Sequence, residues 1–404
     1  VLRTATATGR RPSTGLPKQI DPTEVAVSFV LLIGAGLLIQ SFARLTSVDP
    51  GFRPQNVVML ETLVWSSFPK PDQQRIFFTQ VLERLRAIPG VVGAGGVTAL
   101  PFLGDNSIEM DASVSVVGDP DLAAASTAFL SIATRGYFET MGVSLLKGRT
   151  FSEQDGPGST PVAVVSEGFA RKRLGANPIG QSIIVKNDRT PVSMQVIGVV
   201  RDVRHLSFDS VARDEVFVPI DQVPFGSLNL VVRSASDPGP LVPSLKAAVR
   251  NVYPAQTFGT VATLEQLVAL TVAPRRFYLG LAVSMAGTAL LLAIVGLYGV
   301  TTQLTTQRTR EIGVRIALGG TRADIMRMVL RTGLVAPLFG GLVGAVAGVA
   351  SSRVLRAYLF GIEPTDLTTF AAVAGLLLFV SLLAAYVPAR RAMRIDPVNA
   401  LREE

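Results

Sequence analysis

Any chemistry in this 404-residue chain would have to be done with one histidine and no cysteine. That composition excludes multi-histidine and cysteine metal centres, and it leaves His205 as the one candidate base for a serine nucleophile. His205 follows the charged run Arg201-Asp202-Val203-Arg204 and reads as an ordinary surface or turn residue. Asp209, Asp214 and Glu215 are close enough to gather round calcium, but they lack the spacing of an oxygen-ligand loop. They read as solvated turn charges, and Arg171-Lys172-Arg173 as a solvated helix face. No Gly-x-x-x-x-Gly-Lys-Ser/Thr loop is present to cradle phosphates. The chain is therefore read as non-enzymatic, with no metal or cofactor of its own.

The sequence is rich instead in uncharged apolar length, with a mean hydropathy of +0.42. Residues 25–42, 277–304, 332–352 and 367–387 contain no Lys, Arg, His, Asp or Glu. About 18 such residues cross ~30 Å of hydrocarbon as a helix. The second stretch exceeds that need and is expected to project beyond one face. The pattern predicts an integral membrane α-helical protein with four transmembrane helices, at 22–46, 275–304, 329–356 and 367–387. Between the first two lies a domain at 47–274, read as α+β and two-lobed. No span core holds a carboxylate or imidazole, which disfavours an ion-driven transporter.

A net charge of +8 would suit nucleic acid, but its distribution excludes that partner. Residues 47–274 hold 19 basic and 21 acidic side chains. The excess lies in three short segments beside the spans. The tail 1–21 has Arg3, Arg10, Arg11 and Lys18, the segment 305–328 has Arg308, Arg310, Arg315, Arg322 and Arg327, and the tail 388–404 has Arg390, Arg391, Arg394 and Arg402. The positive-inside rule puts all three in the cytoplasm, and the domain and the loop 357–366 outside. Without disulfides, an outward domain fits a bacterial envelope, so the expected site is the bacterial cytoplasmic (inner) membrane, multi-pass, both termini inside.

Asp21, Pro22 and Glu24 read as the cap of the first helix, and the run 48–52, with Pro50 and Gly51, ends it. In the domain, apolar runs at 56–64, 91–98, 127–133, 161–165, 182–185, 193–200, 215–219 and 228–232 read as strands. Residues 72–88 and 240–252 read as helices, and Ala273-Pro274-Arg275-Arg276 as the end of the domain. In the third span Gly340, Gly344, Gly348 and Ser352 recur at steps of four, a helix-packing face that admits another helix closely in lipid. The partner helix is open between this chain and another copy.

From Thr305 to Gly320 the sequence suggests a short amphipathic helix at the cytoplasmic face. Ile312 and Ile316 share one side, and Glu311 and Arg315 pair on another. Gly319-Gly320 can end it, and Thr321 with Asp324 can cap the next helix. Such an element suits docking to a partner's groove, although a basic loop serving only topology has the same charge pattern.

This stretch resembles the MacB/FtsX-like permeases, membrane subunits of a mechanically coupled class of ABC transporters. The resemblance extends to Tyr137-Phe138-Glu139-Thr140-Met141-Gly142, Lys147-Gly148-Arg149, Val162-Ala163-Val164-Val165-Ser166-Glu167, Pro178-Ile179-Gly180 and Val196-Ile197-Gly198-Val199-Val200. At the C-terminal end it includes Pro388-Ala389-Arg390-Arg391-Ala392 and Asp396-Pro397-Val398-Asn399-Ala400-Leu401-Arg402. It implies a MacB-like periplasmic core domain outside the membrane and an ATPase-coupling segment comprising Arg308, Arg310, Glu311, Ile312, Gly313, Arg315, Ile316, Leu318, Gly319 and Gly320. It further implies an ABC ATP-binding subunit as the carrier of ATP, and a second permease unit, either a homologous half or another copy. The opening departs from the family's usual Asn-Lys-Leu-Arg-Ser-like start and looks more like the second half of a duplicated permease. With valine at position 1, the expectation is a C-terminal piece of a longer chain.

The expected function is that of a permease subunit that turns ATP hydrolysis on a separate subunit into motion of its outer domain, for export or envelope mechanotransmission. The alternative is a membrane-anchored scaffold or sensor that regulates envelope enzymes through an envelope protein partner and transports no solute.

Overall fold

A computed structural model describes residues 22–104, 108–117, 126–186, 190–307, 321–355 and 359–392. In chain order its elements begin with helix α1 (Pro22–Thr46), strand β1 (Val57–Leu63), α2 (Pro71–Arg86), β2 (Val91–Val97), β3 (Asp111–Val116) and β4 (Ser126–Ala133). Next come α3 (Tyr137–Met141), β5 (Leu145–Gly148), β6 (Val162–Ser166), the short α4 (Glu167–Phe169) running into a π-turn, β7 (Ser182–Lys186), β8 (Val192–Val200) and β9 (Glu215–Pro219). The last are β10 (Ser227–Ser234), α5 (Val242–Arg250), β11 (Phe258–Thr263), α6 (Leu264–Gln307), α7 (Arg322–Leu355) and α8 (Leu367–Ala392). Two compact units emerge, one spanning Thr46–Pro274 and the other holding the chain on either side of it.

In the first unit all the described strands belong to one sheet, ordered β11-β1-β10-β2-β4-β3-β7-β8-β6-β9, with β5 on β8. Four strands, β11 to β2, form an open antiparallel part. The other six close on themselves, because β9 returns to pair in parallel with β4. The parts meet at one ladder pair, Val97↔Ala133. Side chains extend that thin seam: Gly96 N donates to Thr134 Oγ1 at 2.7 Å, and Ile132 N to Thr98 Oγ1 at 3.0 Å. One hydrophobic core runs through both parts, from Phe77, Phe78 and Leu85 of α2 and Leu245 of α5 to Val165, Val196 and Val216 of the ring. Strands β6 and β9 are buried throughout, as a nearly unbroken apolar run requires of a strand covered on both faces.

In the second unit α1, α6 and α8 are long and apolar enough to cross a membrane. The expected span at 329–356 lies in α7, where the apolar run among the described residues is Leu338–Arg353. Phe29, Ile33 and Leu37 of α1 pack with Val373 and Leu377 of α8 in a small core. Other apolar side chains face outward, among them Phe277, Leu291 and Val295 of α6 and Leu342 and Val346 of α7. Water penalises such surface, whereas lipid does not.

The helix expected to start at 275 in fact starts at Leu264 and runs for 44 residues with Pro274 inside it. A proline costs a helix one hydrogen bond and some crowding, about 3 kcal/mol. The good helix formers on both sides, Leu267, Ala269 and Leu270 before it and Arg275, Arg276 and Leu279 after it, carry the helix through that loss. At ~1.5 Å per residue α6 is about 66 Å long, twice the hydrocarbon thickness. Likewise α8 continues past the expected end at 387 to Ala392, through Pro388.

Candidate functional site

Arg308, Arg310, Glu311, Ile312, Gly313, Arg315, Ile316, Leu318, Gly319 and Gly320 all lie outside the described residues. So do Asp21, expected as the cap of α1, and the C-terminal signature from Asp396 to Arg402. From Thr321 the chain is described again. Thr321 Oγ1 donates to Asp324 Oδ2 at 2.6 Å, Asp324 N donates to Thr321 Oγ1 at 3.3 Å, and Thr321 N reaches Asp324 Oδ2 at 3.2 Å. This reciprocal capping box fixes where α7 starts. The Thr321 hydroxyl and amide hold the Asp324 carboxyl below its usual range.

Farther along α7, Gly340, Gly344, Gly348 and Ser352 are all buried. A Cβ on Gly344 would lie 2.6 Å from Phe29 Cβ and 3.0 Å from Ala26 O, and one on Gly348 would lie 2.6 Å from Ile33 Cδ1. The helix that uses this close approach is thus α1 of the same chain. Ser352 Oγ donates to Val349 O at 2.9 Å.

Polar contacts clasp the other end of α1. Ser41 Oγ accepts from Phe360 N at 2.8 Å, Arg44 donates to Gly361 O, and Thr369 Oγ1 donates to Gln40 Oε1 at 3.1 Å. Asp366 caps α8 through Thr369 N at 2.9 Å. Together with the glycine face these contacts tie α1 to α7, to α8 and to the segment at 360–361.

In the domain, two sequence readings are corrected. His205 is not a surface residue but is 8% exposed, and Glu215 is not a solvated turn charge but is 1% exposed on β9. Ser131 Oγ donates to Glu215 Oε1 at 2.5 Å, His205 Nε2 lies 2.9 Å from Glu215 Oε2, and Glu215 N donates to Ser166 Oγ at 3.0 Å. The segment carrying His205 is drawn inward by Val203 and Phe208, both buried, and by Phe102 N donating to His205 O at 2.7 Å. Burial beside Glu215 also pushes the Tyr137 phenol well above its ordinary range, desolvation being the larger cause.

A serine, a histidine and a carboxylate in contact invite comparison with a hydrolase, but the order is wrong. Here the carboxylate stands between the other two, so the imidazole is not placed to take the serine proton. The cluster instead ties the segment 201–214 to β4 and β9. Asp214 pairs with Lys172 at 2.8 Å, and Asp209 accepts from Ser207 at 2.6 Å, so the three acidic residues point to different partners. Among the described residues no group of three or more metal-ligating side chains is placed to hold an ion.

Lys147-Gly148-Arg149 forms a local lock. Gly148 has φ +74, and a Cβ there would lie 2.1 Å from Ile197 O. Only glycine fits both conditions. The next residue, Arg149, grips Asp155 with Nη1 and Nη2 at 2.6 and 2.8 Å, and Ser152 N adds a bond at 2.8 Å. These bonds, Arg149's foremost, hold the Asp155 carboxyl below its usual range, although its burial acts the other way. A depressed carboxyl stabilises the fold above the unfolded value of ~3.9 and loses that contribution as pH falls through the folded value. Asp155→Asn is therefore expected to lower stability by about 1–3 kcal/mol near neutral pH, with the deficit vanishing at strongly acid pH. Thermal unfolding of the parent and the variant in detergent across that range measures it, and a deficit constant with pH would refute the assignment.

Two family models match the chain, the MacB-like periplasmic core domain over residues 25–252 and the FtsX-like permease C-terminal over 283–397. The uncharacterized ABC transporter permease YknZ of Bacillus subtilis (strain 168) is 28% identical over 390 residues, covering 93% of this chain and 92% of that one. The pyoverdine export ATP-binding/permease protein PvdT of Pseudomonas syringae pv. tomato is 30% identical over 275 residues. That match covers 64% of this chain but 40% of PvdT, so the chain spans well under half of that relative. A crystal structure of the periplasmic region of MacB from Actinobacillus actinomycetemcomitans matches 55% of this chain and 95% of that one, at 18% identity and a TM-score of 0.36.

Proposed function

The chain belongs to the MacB/FtsX-like family of ABC transporter permeases, and we propose that it is the membrane subunit through which a separate ATP-binding polypeptide moves an outer domain, for export or envelope work. What carries the reading is that the two family models together take in most of α1, most of the unit Thr46–Pro274 and the helices that follow it, in a sequence that has no phosphate-binding loop. In this reading α7 is a fourth membrane span, both termini and the segment 305–328 are cytoplasmic, and the domain 47–274 lies outside the bacterial inner membrane. The ATP-binding subunit docks on Arg308 to Gly320, a second permease unit completes the assembly, and this chain holds no cofactor.

Changing Glu311→Lys and Ile316→Asp together removes both faces of the coupling segment. The variant should insert normally, yet ATP hydrolysis by the partner subunit should fall to that subunit's unstimulated rate. A rate equal to the parent's, with the variant at normal membrane abundance, counts against the proposal. Normal ATPase binding without any turnover stimulated by substrate, in parent and variant alike, favours the scaffold.

A further inference from the structure

A cleft of about 640 Å³ opens on the domain where the C-terminal end of α2 meets β2 and the start of α3. Its lining includes Arg86, Arg135 and Arg233, Glu139 and Glu153, and the apolar surface of Val92. Two of the three guanidiniums are held by uncharged acceptors. Arg86 donates through Nε and Nη2 to Ala94 O, at 3.2 and 2.8 Å, and through Nη2 to Arg135 O at 2.8 Å. Arg233 donates to the carbonyls of Thr140, Gln55 and Arg53 at 2.7, 2.7 and 2.8 Å. Among the described residues, only Arg135 of the three has carboxylate partners, Asp221 at 3.2 Å and the exposed Glu153 at 3.5 Å.

Carbonyl oxygens orient a guanidinium without neutralising it. The remaining cost is visible at Arg86, whose pKa is lowered first by burial and then by the charge of Arg135, with Glu83 and Glu139 offsetting only part. The bonds made by Arg86 use Nε and both N–H groups of Nη2, which leaves the N–H groups of Nη1, on a rigidly held guanidinium, for a ligand. A charged single-nitrogen donor of this kind suits one oxygen of an anion, such as a carboxylate or a phosphate. The charge of the wall chooses between them. With Asp221, which pairs with Arg135, three arginines meet three carboxylates, so the wall has no surplus charge to hold a phosphate dianion, and a monoanion is the smaller demand. The volume lies in the range of small-molecule sites, and Val92, 66% exposed, offers the apolar body of a ligand a surface to cover.

We propose that this cleft is a binding site for a small organic monocarboxylate, its carboxylate received by Arg86 and Arg135 and its apolar body lying on Val92. The site stands on the geometry of the domain and does not depend on what the membrane unit does.

The test uses the full chain in lipid nanodiscs, with benzoate and its neutral isostere benzamide as probes, read by saturation-transfer NMR. Benzoate should bind with a millimolar or tighter Kd, and benzamide at least about tenfold more weakly. Val92→Asp puts a negative charge at the exposed rim without touching the core, and should weaken benzoate about tenfold or more. Glu153→Gln should tighten it about two- to fivefold by removing a repelling charge that also competes for Arg135. A site that merely holds the fold together would not respond in these opposite directions. Equal binding of acid and amide, a Kd unmoved by both variants, or no transfer at about 10 mM benzoate each overturns the proposal.

Discussion

Glu215→Ala is expected to destabilise the outer domain by about 3–5 kcal/mol, because it leaves a buried imidazole and a buried hydroxyl without their shared acceptor. His205 and Glu215 have side chains only 6% and 1% exposed, so water cannot replace the lost oxygens without opening the ring. Glu215→Gln keeps an oxygen for Ser131 and a nitrogen that can donate to the ring, and should cost about 1 kcal/mol. The two variants thus separate the loss of partners from the loss of charge. Thermal unfolding in detergent reads the difference, and hydrogen exchange should localise the weakening to 201–215 and β4. If the alanine variant melts with the parent, the cluster does not anchor that segment.

This cluster also marks a limit of what the sequence makes legible. Patterning finds elements by their period, and most strands stand where apolar runs put them, as at β1, β8 and β9. It does not find β5, whose four residues are all exposed, or β3, where Asp111, Ser113 and Ser115 alternate with small apolar residues. Both are made by their neighbours, β5 by pairing with β8 and β3 by sitting between β4 and β7. Charge misleads in the same way. Glu215 looks solvated because glutamate usually is, yet a strand covered on both faces buries whatever residue falls in register there, provided it finds donors. Ser131 lies 84 positions away in the chain, and no local pattern connects the two. The glycines of α7 are the opposite case, since steps of four on one helix face carry a meaning that needs no partner to be named. The cationic cleft has no signal at all, because Arg86, Arg135 and Arg233 are brought together by the seam between β2, α3 and β10.

The second large effect is expected at Gly344. The Cβ of any other residue would fall 2.6 Å from Phe29 Cβ and 3.1 Å from Ala26 Cα, and backbone at that range cannot move aside as a flexible side chain can. Gly344→Leu should therefore separate α7 from α1, at a cost of about 3 kcal/mol or more. Gly341, three residues earlier, has nothing within 4 Å of its own Cβ position, so Gly341→Leu adds an equal volume to the same helix at no comparable cost. Membrane abundance and thermal stability in mild detergent should fall for the first variant and hold for the second. The comparison also bears on function. If the α1–α7 contact helps to hold the membrane helices together, loosening it should cut ATPase stimulation even though residue 344 lies far in sequence from Glu311. Were the glycine face instead a contact between copies, Gly344→Leu would change the oligomeric state and leave the stability of the single chain intact.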